Sequence, residues 1–103
     1  MVTLEDEFHA GMFNVYETAV QRGYHATYFK GMLDQHGGVQ AAKRLLVGTT
    51  VQSGLFELWK RGLLATSAEA LVIRERFAPL FSAAEIGEAR RRLEDLDYFK
   101  GNR

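Results

Sequence analysis

Three histidines, three serines and a run of arginines are the residues of this chain whose types invite a chemical reading. His9, His25 and His36 are spaced 16 and 11 residues apart. Histidine pairs that grip a metal from one helix usually sit three to five residues apart, often with a carboxylate between them. Surface and cap roles therefore explain these three better, and no metal site is expected. Asp34 and His36 could meet across a turn, but a helix end accounts for both equally well. A nucleophilic serine needs a base and an orienting acid beside it. Ser53, Ser67 and Ser82 instead stand where helices should begin, so capping is the better reading of each. There is no Gly-x-Ser-x-Gly elbow and no phosphate loop ending in Gly-Lys-Ser/Thr. With no cysteine, thiolate chemistry and disulfides are absent too. No catalytic residue and no cofactor is expected.

Binding leaves more traces. Arg90, Arg91 and Arg92, with Lys100 and Arg103, are the densest basic feature. Glu88, Glu94, Asp95 and Asp97 interleave with them, so a solvated helix face is the first reading and contact with phosphate or an acidic partner the second. Segment 39–64 has the outline of a helix-turn-helix: a short helix with Ala41-Ala42, a glycine turn, then Val51-Gln52-Ser53-Gly54-Leu55. Its second helix would offer Gln52, Ser53 and Lys60, next to Arg61, to a major groove. An ordinary helical hairpin reads the same way, and Phe56 and Trp59 put bulk where a base reader wants polar groups. Thirteen basic residues balance thirteen acidic ones, whereas DNA-binding domains usually carry a basic excess. The aromatic load is heavy for short helices. Phe13, Tyr16 and Val20 lie partly off the main apolar line of the first segment. Together with Phe56 and Trp59 they form either part of the core or an interaction surface.

The elements that must position these residues are helices throughout. Pro79 is the single proline, so nearly all of the chain is free to be helical. In the first segment, Leu4–Arg22, the residues Leu4, Phe8, Met12, Val15 and Ala19 step by 4, 4, 3 and 4, one face of a helix. Thr3 suits its N-cap, the acidic residues that follow suit the helix dipole, and Gly23 stops it. Gly11 inside it suggests close packing. His25–Gln35 presents Tyr28, Phe29, Met32 and Leu33 and ends at Gly37-Gly38. Val39–Val47 turns Val39, Ala42, Leu45 and Leu46 inward. Gly48-Thr49-Thr50 is a turn. Val51–Arg61 sets Val51, Leu55, Leu58 and Trp59 on one side, and Gly62 ends it. The fifth segment starts at a capping box, Thr66-x-x-Glu69, or at Ser67, and carries Ala70, Ile73 and Phe77 inward to Ala78-Pro79. The sixth starts at a second capping box, Ser82-x-x-Glu85, with Ile86, Ala89, Leu93 and Leu96 on one stripe and Glu88 paired to Arg92. Nothing alternates as a strand does, so no sheet is expected.

At 103 residues, with 47% hydrophobic and 25% charged, residues 1–103 should make one all-α domain, a compact bundle of five to six short helices. No apolar run nears the roughly 18 residues that cross a bilayer. The acidic start Glu5-Asp6-Glu7 does not match a signal peptide, so a cytoplasmic protein is expected.

From Tyr24 onward the chain resembles a family of small, uncharacterised bacterial proteins. The matching residues are Tyr24-His25-Ala26-Thr27-Tyr28-Phe29, Gly37-Gly38-Val39-Gln40-Ala41-Ala42, Ser53-Gly54-Leu55 with Leu58, Thr66 with Glu69-Ala70-Leu71-Val72, Leu80-Phe81 with Glu85, and Ala89-Arg90-x-Arg92-Leu93 before Tyr98-Phe99. The resemblance implies an all-helical bacterial protein and brings no activity with it. The expected work is therefore non-enzymatic: a protein-interaction module that docks on a partner or on itself. The alternatives are a small nucleic-acid-binding regulator using segment 39–64, and an accessory or inhibitor of a nuclease-type enzyme.

Overall fold

The computed structural model describes residues 2–48 and 51–100. Six α-helices follow one another among them: α1 (Leu4–Gln21), α2 (Thr27–His36), α3 (Gly38–Val47), α4 (Val51–Lys60), α5 (Ala68–Val72) and α6 (Ala83–Asp95). Two 3₁₀ turns, Leu64–Thr66 and Glu75–Leu80, flank α5. No strand occurs among the described residues, and the all-α bundle is compact, with a Cα radius of gyration of 12.7 Å.

Local chemistry explains where the two best-defined helices start. The Thr3 hydroxyl accepts from the Asp6 N–H at 3.0 Å, and the Asp6 carboxylate accepts in return from the Thr3 N–H. Ser82 and Glu85 repeat the arrangement at α6. Each box satisfies amides that the first turn of a helix leaves without partners. The join between α2 and α3 is made by backbone. Gly37 sits at φ +80°, the left-handed region, and Gly38 packs directly on α1. A Cβ at Gly38 would stand 2.6 Å from the His9 Cα. That contact brings His9 Nδ1 to 2.9 Å from the Gly38 N–H, which donates to it, so a side chain from α1 caps α3.

The 3/4 stepping of α1 is its packing. Phe8, Met12, Val15 and Ala19 are buried, and Phe8 meets Phe77 and Phe81 edge-on with ring centroids 5.1 Å apart. Such pairs add roughly 1 kcal/mol each beyond area burial. Gly11 is a close approach as well, with Leu71 Cδ2 at 2.9 Å from where a Cβ would be. In α3, Ala41, Ala42, Leu45 and Leu46 are buried, and in α6, Ala89 and Leu93.

Several expectations need correction. The fifth segment is not one helix to Ala78. It ends at Val72, and an extended Arg74 leads into the 3₁₀ turn around Pro79. Its cap is Ser67, whose hydroxyl accepts from the Ala70 N–H at 3.1 Å, and not Thr66. Tyr28 is 61% exposed and Trp59 43% exposed, so neither belongs to the inward stripe assigned to it. The turn residues Thr49 and Thr50, the side chains of Val51, Gln52 and Ser53, and Arg103 lie outside the described residues.

Candidate functional site: an apolar cavity behind an aromatic helix face

His9, Asp34, Ser67 and Ser82 have structural partners. His9 caps α3. Asp34 pairs with Lys30 at 2.6 Å, not with His36. Ser67 donates to the Leu64 carbonyl at 2.7 Å while capping α5, and Ser82 caps α6. No group of three His, Cys, Asp or Glu among the described residues is arranged to hold a metal ion.

The candidate cations are also engaged. Glu57 holds both Lys60, at 3.2 Å, and Arg61. The Arg61 guanidinium also lies over the Tyr24 ring, 5.2 Å from its centroid. Its two cations hold the Glu57 carboxyl below the usual range, Arg61 first and then Lys60. Arg91 is held by Glu88 at 2.7 Å and Asp95 at 2.8 Å. Arg90 rests over the Phe99 ring.

Arg92 is a correction to the solvated arginine face, because it is 4% exposed. Its Nη1 donates to the Leu45 carbonyl at 3.1 Å, and its Nη2 donates to those of Leu46 and Gly48 at 3.0 and 3.1 Å. Its Nε donates to Glu88 at 2.7 Å. One guanidinium therefore closes the C-terminal end of α3, where carbonyls have no partner in their own helix. It has no face left for phosphate.

The aromatic candidates fall into two pairs. On α4, Leu55 and Leu58 are buried while Phe56 and Trp59 stack on the outer side, centroids 5.1 Å apart at 29°. They are 44% and 43% exposed, and Lys60 reaches over Phe56. On α1, Phe13 leans on Tyr16 with centroids 6.2 Å apart and Lys30 lies over the Tyr16 ring. Phe13 is exposed, whereas Tyr16 and Val20 are half-buried.

Sequence reasoning missed what lies behind these faces. A cavity of about 260 Å³ opens between α1, the start of α2, α4 and α5. Its walls are aliphatic and aromatic, among them Val15, Leu55, Leu58, Tyr16, Tyr24 and Phe29. Among its lining residues Glu69 is the one carboxyl. Glu69 is 3% exposed, and its Oε2 has no hydrogen-bond partner among the described residues. Arg92 Nη1 comes to 3.6 Å of it, beyond a good hydrogen bond. Burial pushes the Glu69 carboxyl above its ordinary range, its own backbone N–H and Arg92 opposing this only in part. Burial, with Glu57 nearby, likewise lifts the Tyr24 phenol.

No protein-family model, curated protein or solved structure matches this chain. No described helix is long and apolar enough to cross a membrane.

Proposed function

We propose that this chain is a non-enzymatic protein-interaction module that pairs with a second copy of itself through the outer face of α4. The observation that carries the reading is the Phe56–Trp59 stack, two large rings held against each other and left almost half exposed. Aromatic side chains of this kind anchor interfaces, because they bury much area with few rotatable bonds. The surrounding charge suits self-pairing. Glu57 and Lys60 border the rings with opposite signs, so a two-fold contact that opposes them sets each beside its complement. A net charge of zero also leaves no long-range repulsion between copies. The engagement of Lys60, Arg61 and Arg91 by carboxylates, and the burial of Arg92, favour this reading over phosphate recognition. A bacterial cytoplasm, a reducing compartment, is in keeping with a chain free of cysteine.

Light scattering on the purified chain tests it. The expected result is a mass of two chains at tens of micromolar, and the mass of one chain for the double variant Phe56→Glu, Trp59→Glu with its helical circular dichroism intact. A wild-type chain that stays at 11.6 kDa over the whole concentration range would overturn it.

A further inference from the structure

The cavity and Glu69 pose a charge problem that self-pairing leaves untouched. Arg92 carries one positive charge. Half-exposed Glu88, also held by Arg91, binds it from one side at 2.7 Å, and buried Glu69 approaches it from the other at 3.6 Å. When Glu69 is ionised, its Oε2 lies buried with no hydrogen-bond donor among the described residues. Arg92 cannot answer it further, since its remaining donors are committed to the carbonyls of Leu45, Leu46 and Gly48. A buried carboxylate without a full complement of donors is costly. The missing component is one positive charge or strong donor placed at Glu69.

We propose that the cavity is a binding site for a small organic ammonium ion, an apolar body bearing one protonated amine, with the amine at Glu69 and the body among Val15, Leu55, Leu58 and Phe29. The space fits. A cavity of roughly 150 Å³ holds benzene, and this one measures about 260 Å³, enough for a phenyl ring with a short aminoalkyl arm. The wall chemistry fits too. The walls are aliphatic and aromatic, and the Tyr16 and Tyr24 rings already carry Lys30 and Arg61, so Glu69 is the lining group left to take an amine. Burial raises that carboxyl's affinity for a proton. The ligand's ammonium takes the proton's place.

Titration of the ¹⁵N-labelled full chain at pH 7, followed by amide NMR, tests this with three probes of one shape: 2-phenylethylamine, 3-phenylpropanoate and propylbenzene. The amine is expected to bind with a dissociation constant on the order of 0.1–1 mM and to move the amides of Ala26, Gly54 and Ala68. The anion and the hydrocarbon are each expected to bind at least about tenfold more weakly, the scale of one charge-assisted hydrogen bond. Glu69→Gln keeps the cavity's shape and should weaken the amine by about the same factor while leaving propylbenzene unchanged. Three results would overturn the proposal: equal binding of amine and hydrocarbon, shifts confined to residues away from the cavity, or full amine affinity in E69Q. The wild-type comparison of the three probes stands without any variant, and none of these outcomes depends on whether the chain dimerises.

Discussion

Arg92 Nη1 stands 3.6 Å from Glu69 Oε2 with both side chains 4% exposed. That relationship ties α6 to α5, and through the carbonyls of Leu45, Leu46 and Gly48 it ties both to the end of α3. Five groups converge on one buried guanidinium: those three carbonyls, Glu69 and the half-exposed Glu88.

Removing Arg92 should therefore be severe. Arg92→Ala takes a donor from three carbonyls and the nearby cation from a buried carboxyl, and breaking a buried ionic network from one side costs about 3–5 kcal/mol. Its neighbour offers the control. Arg91 pairs only with exposed or half-exposed carboxylates, so Arg91→Ala should change stability by no more than about 0.5 kcal/mol. Urea unfolding of the two variants, followed by circular dichroism, checks both.

Glu69→Gln should not destabilise the chain at neutral pH. The folded-state pKa of Glu69 lies above its ordinary 4.5. Its ionisation therefore works against the fold, and wild-type stability gains as pH falls through the folded value, levelling off near 4.5. A neutral glutamine escapes that dependence. The variant should be as stable as wild type or more so at pH 8, with its advantage shrinking toward pH about 5. Urea midpoints across that range decide it, and an advantage that grows on acidification would contradict the sign.

Glu88 should behave in the opposite sense. Arg91 first and then Arg92 hold its carboxyl at about 2, against an ordinary 4.5. The stability it contributes is complete above 4.5 and is lost as pH falls from there toward about 2. Glu88→Gln should be less stable than wild type at pH 7, with the difference closing on acid titration below 4.5. Thermal melts of both proteins between those limits measure it.

Two glycine replacements should part company. Gly38→Ala drives a Cβ to 2.6 Å from the His9 Cα. Backbone cannot step aside as a side chain can, and the displaced α3 also loses the 2.9 Å bond from the Gly38 N–H to His9. A loss of about 2 kcal/mol or more is expected. Gly11→Ala meets only the far end of Leu71, at 2.9 Å, and gains up to about 1 kcal/mol of helix propensity. Its net effect should stay within about 1 kcal/mol of wild type. Chemical denaturation of both variants is the measurement.

The helix starts were legible because their causes are local. Thr3 with Asp6, and Ser82 with Glu85, act over three residues, and the stripes of α1 and α6 are periodicities of a single segment. The all-helical class and the buried faces of those helices follow from such signals. Glu69 shows where they stop. Read as the far end of a box begun by Thr66, it belongs on the surface. The actual cap, Ser67, starts the helix one residue later. Packing of α5 against α6 and α3 then buries that carboxyl in the cavity wall. Arg92 reads as one of three solvated arginines, yet it lies beside buried Leu93 and the carbonyls that hold it are 44 to 47 residues away in the chain. No pattern within a segment encodes a partner at that separation. The cavity, its one carboxyl and the exposure of Trp59 are likewise properties of how the faces of several helices meet, and they exist only once the bundle has closed.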